Sequence, residues 1–244
     1  NIFLNMYGGA SVSKGGPCWS AGIAAQKENF GDVKSHSLED MLNSKNIFVW
    51  GKNTAFTTIH TMQMIRKAKA NGSKIIVIDP IYTKTAEISD LYIRVKPGGD
   101  LALALAIGKT IIEKNLYDKE YIDSYVLGFD DYKEYVESLD LNNLLEISGV
   151  SMDDLESIVS LYTEKYSTLL LGYGMQKYKS GGNTIKAINT LGAITGQIGF
   201  SGGGVNYANK VYPSVLNGDP YNSESLGDSR KFYTSDISDF IDYS

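Results

Sequence analysis

The sequence is poor in the residues that build metal clusters and disulfides. Among its 244 residues there is one cysteine, Cys18, and there are two histidines, His36 and His60. A single thiol excludes an internal disulfide framework and any cysteine-based iron–sulfur or zinc site formed by this chain alone. The two histidines stand far apart, without the His-x-x-x-His spacing of zinc hydrolases.

Long apolar runs and positive net charge are also missing. No run approaches the ~20 apolar residues that span a bilayer, so we predict no membrane span in this chain. The formal net charge of −5 at pH 7 argues against a general nucleic-acid binder, which would present a basic face. The sequence begins at Asn1 without an initiator methionine. We therefore expect it to be a piece of a longer protein, and its compartment stays open.

Short apolar runs alternate with amphipathic stretches through most of the chain. Residues 47–50 and 74–78 are typical of buried strands, and residues 54–70 between them are typical of a helix. This alternation predicts an α/β fold with a Rossmann-like three-layer α/β/α core and a mostly parallel sheet. A helical insertion is predicted at about residues 117–150.

The composition divides the chain into two parts. The strand–helix alternation occupies residues 1–209, which we predict to be the α/β region. From residue 210 onward apolar density falls, and aspartate, serine, glycine and asparagine accumulate. We predict that residues 210–244 form a polar tail that is loosely ordered or packs on other domains.

The ends of the predicted strands carry residues that could hold a nucleotide. Gly51 allows a tight turn and leaves backbone N–H groups to face a phosphate at the helix start; an ordinary turn capped by Asn53 or Thr54 is the alternative. Asp79 could accept from ribose hydroxyls or a base N–H, or it could simply start a turn. Asp100 could cap the next helix or pair with the amino edge of a guanine.

Two glycine-rich segments offer further polar groups. Gln176 follows a predicted strand at residues 168–171 and can donate and accept at once, which suits a heteroaromatic ring; a glycine-rich corner is the alternative. Cys18 and Ser20 stand between a Gly-Gly-Pro turn and a short predicted helix. A thiolate or alkoxide there would be stabilised by the helix dipole and could bind a metal. Alternatively, Cys18 is a buried small apolar residue.

An ordered set of motifs resembles the central part of molybdopterin oxidoreductases of the dimethyl-sulfoxide-reductase family. The resemblance covers about residues 8–209 and rests on the order and spacing of the motifs, since no single one is specific. The motifs are Trp50-Gly51-Lys52-Asn53, Ile76-Val77-Ile78-Asp79-Pro80, Thr83 with Thr85-Ala86, Asp90, Pro97-Gly98-Gly99-Asp100, Gly172-Tyr173-Gly174-Met175-Gln176, Gly181-Gly182-Asn183 and Leu191-Gly192-Ala193-Ile194-Thr195-Gly196 with Gly202-Gly203-Gly204.

The resemblance implies a cofactor and partners. Two pterin guanine dinucleotides would chelate molybdenum (or tungsten), and an oxygen atom or a hydrogen equivalent would be transferred to or from a small-molecule substrate. The rest of the same polypeptide and an iron–sulfur electron-transfer domain or subunit would complete the enzyme. This chain would be its central cofactor-binding portion. Alone it would be inactive and would bind the cofactor weakly or not at all.

The resemblance also implies roles for particular residues. The residues that it assigns to the cofactor are Gly51, Asn53 and Thr54 at the phosphates, Asp79 and Thr83 at the ribose or guanine, Asp100 at the guanine amino edge, and Gly174, Met175 and Gln176 beside the pterin. The protein ligand of the metal would be Cys18, as in nitrate- and polysulfide-type members, or Ser20, as in sulfoxide reductases. A soft metal centre favours the thiolate of Cys18.

Two departures and two rival functions remain. Ile81 and Gly99 stand where members of the family commonly carry arginine and threonine. A dinucleotide-dependent dehydrogenase would need Gly-x-Gly-x-x-Gly after the first strand, and the sequence after Trp50 lacks it. A non-catalytic or inactive Rossmann-like nucleotide-binding module stays open as the alternative.

Overall fold

A five-stranded parallel sheet forms the centre of the protein. The computed structural model describes residue 7, residues 11–208 and residues 231–242. The strands are β1 (Val12–Lys14), β2 (Asn46–Trp50), β3 (Lys74–Ile78), β4 (Leu91–Ile93), β5 (Ser167–Leu171), β6 (Gly204–Asn206) and β7 (Lys231–Tyr233). Strands β4, β3, β2, β5 and β6 lie side by side in that order, and every neighbouring pair is parallel. Strands β1 and β7 form a separate parallel pair.

Helices connect and cover these strands. They are α1 (Ser20–Phe30), α2 (Thr54–Thr57), α3 (Ile59–Ala70), α4 (Asp100–Glu113), α5 (Lys119–Tyr125), α6 (Phe129–Glu137), α7 (Leu141–Ser148), α8 (Met152–Thr163), α9 (Gly181–Ile194) and α10 (Ile237–Asp242). Short 3₁₀ helices lie at Leu38–Asn43, Ala86–Ile88, Met175–Lys177 and Thr234–Asp236. Within the described residues, no helix has the length and apolar character needed to cross a bilayer.

The side chains of β2 alternate between two hydrophobic cores. Ile47 and Val49 pack with Ile65 of α3 on one face of the sheet. Phe48 and Trp50 belong to the larger core on the other face, which α4 and α9 help to build. These four side chains are essentially inaccessible to solvent, and burying each stabilises the fold by about 1.5–3 kcal/mol. The predicted three-layer α/β/α fold with a parallel sheet is confirmed.

Helix α4 is buried on almost every side because its sequence is apolar all round. It contacts α6, α7, α8 and α9. Its one buried lysine, Lys109, keeps its charge paired with Glu113 at 2.9 Å. The short helices α5, α6 and α7 lie within the predicted insertion at residues 117–150, and α6 and α7 cover the side of α4 that the sheet does not.

The strand order of the sheet reverses between β2 and β5. The chain runs from β2 to β3 on one side, and later returns to place β5 on the other side. In open parallel sheets, ligands bind outside the carboxyl ends of the strands at such a switch point. Gly172, the residue directly after β5, packs against the loop after β2. A Cβ atom at this position would lie 1.7 Å from the carbonyl oxygen of Gly51.

The structure differs from the sequence prediction in one helix. The stretch predicted as one helix over residues 54–70 is two, α2 and α3, because Thr58 has the non-helical angles φ −145° and ψ 70°. Thr57, Thr58 and Ile59 are all β-branched, and this side-chain type is stiff and disfavours helix interiors. Because of this break, α2 ends at Thr57 and α3 begins as a separate helix at Ile59.

The glycine-rich region and the tail also gain strands. The Gly202-Gly203-Gly204 motif leads into β6, which begins at Gly204 and forms an edge of the sheet. Within the predicted tail, β7 pairs with β1 near the start of the described chain. The remainder of that prediction, residues 210–230 with 243 and 244, lies outside the described residues.

Candidate functional site

A cleft lies at the carboxyl edge of the sheet and collects five of the predicted site residues. Its volume is about 320 Å³. Residues of the loops after β2, β3, β4 and β5 line it: Gly51, Asp79, Pro80, Pro97, Asp100, Gly174, Met175, Lys177 and Tyr178. We call it the carboxylate cleft, because Asp79 and Asp100 are its two acidic residues. The sequence separates these segments, and the parallel sheet brings them together.

The two carboxyl groups of this cleft are nearly buried. Asp79 is 9% exposed and Asp100 is 7% exposed. One oxygen of Asp79 accepts from the backbone N–H of Ile81 at 2.9 Å, and one oxygen of Asp100 accepts from the indole Nε1 of Trp50 at 2.8 Å. The second oxygen of Asp79 has no hydrogen-bond partner among the described residues, whereas the carboxyl group of Asp100 also accepts from its own backbone N–H. Each carboxyl group still has acceptor lone pairs for a ligand.

Burial also sets the protonation of these groups. Desolvation raises the pKa of Asp79 above its ordinary value, against the opposing effect of the Ile81 N–H. Desolvation likewise raises the pKa of Asp100; hydrogen bonds from Trp50 and from its own backbone N–H oppose this rise, and the nearby charge of Asp79 adds to it. Two carboxylates that repel each other in a shared cleft would be stabilised by hydrogen-bond donors supplied from outside.

The suggestion that Asp100 is the N-cap of its helix is wrong. Asp100 is the first residue of α4, Gly99 is the N-cap, and no side chain caps this end. The carboxyl group of Asp100 instead reaches across to Trp50 of β2. Space explains the glycine at residue 99, since a Cβ atom there would lie 2.8 Å from the Cα of Ser148.

The loop after β2 offers fewer free N–H groups than the sequence suggested. Gly51, at φ +60°, donates its N–H to the carbonyl of Ile78, and Thr54 donates to the carbonyl of Lys52. The N–H groups of Lys52 and Asn53 have no acceptor within the described residues. These two groups are therefore the ones that could face a phosphate.

Thr85 holds this loop in place, and sequence reasoning missed that role. Its Oγ1 donates to Oδ1 of Asn53 at 3.1 Å and accepts from the N–H of Ala55 at 3.1 Å. It also lies 3.3 Å from Oγ1 of Thr54. Thr85 is fully buried, and so is Thr54. The only sequence signal was its place in the Thr83 and Thr85-Ala86 motif.

Two predicted cofactor contacts use their hydroxyls locally instead. The Thr54 hydroxyl donates to Sδ of Met62 at 3.4 Å and contacts Thr85, inside the protein. The Thr83 hydroxyl accepts from the N–H of Ala86 at 3.4 Å and so closes a short 3₁₀ turn. Thr83 does not line the carboxylate cleft. A cofactor contact by either side chain stays a prediction.

Gln176 connects the carboxylate cleft to the segment that carries Cys18. Its Nε2 donates to the carbonyl of Pro17 at 2.7 Å. Its Oε1 accepts from the N–H groups of Ala21 and Gly22 at 2.9 and 3.2 Å. The amide is thus committed to protein groups on both sides, and Gln176 is only 6% exposed. These hydrogen bonds hold the Cys18 segment, and one N–H of the amide is unused, so a contact between Gln176 and the pterin stays a prediction.

The two candidate metal ligands have different surroundings. Cys18 is a free, exposed cysteine, so the alternative that it is a buried apolar residue is wrong. The Oγ of Ser20 accepts from the N–H of Gly16 at 2.8 Å, across the turn. The carbonyl of Trp19 accepts from the Tyr207 hydroxyl at 3.3 Å. The turn is therefore held at Ser20 and Trp19, while Cys18 is exposed.

Fold and site together define a class of protein. A parallel sheet with this strand order is a Rossmann-like α/β fold, which binds ligands at the carboxyl edge where the carboxylate cleft lies. The family description "Molybdopterin oxidoreductase" matches the sequence over residues 1–234. The chain belongs to the molybdopterin oxidoreductase family, and this membership implies a molybdopterin cofactor with molybdenum or tungsten.

Curated relatives support the same family. The chain is 41% identical over 207 residues to the probable oxidoreductase YyaE of Bacillus subtilis, which covers 85% of this chain and 31% of the relative. It is 35% identical over 186 residues to formate dehydrogenase H of Escherichia coli, a match that covers 75% of this chain and 26% of the relative. It is 34% identical over 192 residues to the assimilatory nitrate reductase catalytic subunit of Bacillus subtilis, a match that covers 77% of this chain and 27% of the relative.

A solved structure has the same fold. The acetylene hydratase from Pelobacter acetylenicus is similar with a TM-score of 0.68 and 27% sequence identity, over 74% of this chain and 25% of that protein. The chain thus spans about a quarter to a third of the length of the relatives that it matches.

Proposed function

We propose that this chain is the central cofactor-binding portion of a longer oxidoreductase whose molybdenum or tungsten is held by pterin guanine dinucleotides. One observation carries the proposal. Asp79 and Asp100 share a cleft with Gly51 and Gly174 at the carboxyl edge of the sheet, and Gln176 connects the same edge to the Cys18 segment. Guanine recognition, phosphate contact and metal ligation are then neighbouring functions of one edge.

The carboxylate cleft suits the guanine end of such a cofactor. Guanine presents N–H donors on its amino edge, and Asp79 and Asp100 each keep acceptor lone pairs there. Desolvation penalises the charged form of both carboxyl groups, and the charge of Asp79 adds to this penalty at Asp100, so donors from a ligand would stabilise both. Gly51 and Gly174 leave backbone exposed for close approach of the rest of the molecule.

The phosphates would lie against the loop after β2. The N–H groups of Lys52 and Asn53 are available there, whereas the Thr54 hydroxyl is committed to internal contacts. Met175 packs so close to Gly51 that a Cβ on the glycine would lie 2.9 Å from its methyl group. The two residues together would form the wall between the phosphates and the pterin.

Cys18 is the metal ligand that the geometry favours. Its thiol is exposed and forms no disulfide, while the Ser20 oxygen already accepts a hydrogen bond from Gly16. A thiolate also suits a soft metal centre better than an alkoxide does. Gln176 acts through this turn, because its three hydrogen bonds fix the backbone on both sides of Cys18.

The bound cofactor supplies the redox chemistry, and the protein supplies orientation and one ligand. The whole enzyme would transfer an oxygen atom or a hydrogen equivalent to or from a small molecule. An iron–sulfur domain or subunit would exchange electrons with the site. Because Cys18 is the only cysteine here, any such cluster would lie outside this chain.

Metal and pterin analysis of the full-length protein tests the proposal. We expect molybdenum or tungsten together with a guanine-bearing pterin. X-ray absorption of Cys18→Ser should lose one sulfur neighbour of the metal, while Ser20→Ala should keep it. A folded full-length protein without metal or pterin would refute the function. Loss of a ligand in Ser20→Ala, with no change in Cys18→Ser, would instead assign the metal to Ser20.

A further inference from the structure

Lys52 is a partly buried cation without a counter-charge. It follows Gly51 directly, and its Nζ forms no hydrogen bond or ion pair with any described residue. Other partly or fully buried lysines behave differently: Lys69 pairs with Asp90 at 2.8 Å and Lys109 with Glu113 at 2.9 Å. A partly buried ammonium without a partner is costly, and something must compensate it.

A cavity of about 230 Å³ lies beside this side chain. Its walls come from the segment before β2 and from the loops after β2, β5 and β6. We call it the Lys52 cavity, and its lining residues are Ser35, His36, Ser37, Leu38, Met41, Lys52, Thr61, Leu170, Tyr173, Asn206, Tyr207 and Ala208. It shares no lining residue with the carboxylate cleft. Gly51 lines the cleft and Lys52 lines this cavity, so the two are separate cavities that meet the loop after β2 at adjacent residues.

The lining of the Lys52 cavity is positive and contains no aspartate or glutamate. Nζ of Lys52 lies 5.7 Å from the centre of the Tyr173 ring, which stabilises the cation without neutralising it. Desolvation lowers the pKa of Lys52 from its ordinary value. The hydroxyls of Ser37 and Thr61 have no hydrogen-bond partner in the described part of the chain. They can donate to an acceptor inside the cavity.

The cavity also adjoins the Cys18 segment. Tyr173 and Tyr207 line it, and their rings pack against each other with centroids 4.9 Å apart. Tyr173 also packs against Trp19 at 6.1 Å, and Tyr207 donates to the carbonyl of Trp19. A ligand beside Lys52 would thus be separated from the Cys18 turn by these two aromatic rings.

We propose that the Lys52 cavity binds a small oxyanion, whose charge pairs with Nζ and whose oxygens accept from Ser37 and Thr61. Two sources share this chemistry: a phosphate group of the bound cofactor, and a free oxyanion of the nitrate or carboxylate type that reacts at the neighbouring metal. The second source rests on the proposed function. The anion site itself rests on Lys52 and its cavity alone.

The test is calorimetric titration of the full-length protein, prepared without cofactor, with inorganic phosphate and with nitrate. We expect wild type to bind at least one of these anions and Lys52→Met to bind it at least about tenfold more weakly. Lys52→Arg, which keeps the charge, should stay within about threefold of wild type. Lys67→Met removes an exposed lysine of α3 and should leave the affinity unchanged.

The cofactor-loaded protein then distinguishes the two sources. If a cofactor phosphate occupies the cavity, loaded wild type no longer binds added anion and Lys52→Met retains less metal per protein. If the anion is free, loaded wild type still binds it through Lys52, and metal content is the same in both. Equal affinities of wild type and Lys52→Met, or no binding of either anion before loading, would overturn the site. Because the first titration uses protein without cofactor, it tests the anion site even if the full-length protein carries no metal.

Discussion

At the scale of single residues, the site depends on which polar groups are hydrogen-bonded within the chain and which can still bind a ligand. Asp79 and Asp100 make few hydrogen bonds within the chain and keep acceptor lone pairs at the cleft. Gln176, by contrast, uses both the oxygen and the nitrogen of its amide to hold the Cys18 turn. Residue type alone would treat all three as equal candidates for ligand contact. Their hydrogen bonds separate two ligand-facing acids from one positioning amide.

Asp100→Asn should make stability less sensitive to pH. The asparagine can still accept from Trp50 but cannot ionise. Because the folded-state pKa of Asp100 is raised, the folded protein holds its proton more tightly than the unfolded chain does, so stability falls as pH rises above 3.8. The free energy of unfolding of the variant should therefore rise relative to that of wild type as pH increases, as measured by urea unfolding across pH 4 to 8. A constant difference across this range would contradict the prediction.

Gln176→Met should loosen the Cys18 turn. The substitution keeps the side-chain volume and removes three hydrogen bonds, each worth about 1 kcal/mol, so we expect a loss of about 3 kcal/mol. Alkylation of Cys18, followed by mass spectrometry, should become faster in the variant. Gln63→Met, at an exposed position of α3, is the matched control and should change neither quantity. Unchanged stability and unchanged alkylation in Gln176→Met would reject its positioning role.

At the scale of elements, the site is created where the loops after β2 and β5 meet. Gly172 is so close to Gly51 that only a glycine fits, whereas Gly174, two residues later, has nothing within 4 Å of a Cβ position. Both glycines belong to one motif in the sequence. Their packing gives them different tasks, since one allows two strands to approach and the other leaves open space at the cleft.

Gly172→Ala and Gly174→Ala should therefore have opposite outcomes. A methyl group at residue 172 would collide with the Gly51 carbonyl and force β2 and β5 apart, which we expect to cost at least about 3 kcal/mol. Gly174 has φ −62°, which alanine adopts freely, so its variant should stay within about 1 kcal/mol of wild type. Thermal unfolding of the full-length protein measures both. Equal effects would contradict the close approach of the two loops.

At the scale of the whole molecule, the carboxyl edge of the sheet carries exposed apolar side chains beside the cleft. Phe56 and Ile59 follow β2, and Ile81 follows β3; they are 73%, 62% and 67% exposed. Apolar groups gathered at one edge are typical of a covered surface. We expect the rest of a longer polypeptide to cover them, since the chain spans about a third or less of its relatives' length.

Hydroxyl-radical footprinting of the full-length protein tests this expectation. Oxidation of Phe56, Ile59 and Ile81, corrected for the intrinsic reactivity of each side chain, should be nearly as slow as that of buried Phe48. The reason is that a covering domain excludes solvent from the edge. Fast oxidation of all three would indicate that this surface is open in the complete protein.

The sequence by itself determined the α/β class, the central strands β2, β3 and β5, the tight turns that follow them and the family. These follow from local patterns: apolar runs, amphipathic spacing and glycines at strand ends. The break at Thr58 escaped because three β-branched residues only weakly disfavour a helix. The pairing of β7 with β1 escaped because the segments are far apart along the chain and both are short.

Only the tertiary structure decided which polar groups are free. Gln176 and Pro17 are 159 residues apart, and Asp100 and Trp50 are 50 apart, so no local pattern reveals their hydrogen bonds. Thr85 is one small threonine in a turn until the fold places it against Asn53 and Ala55. A side chain binds a ligand through the donors and acceptors that make no hydrogen bond within the folded chain. Which groups these are depends on contacts between segments that are distant in the sequence.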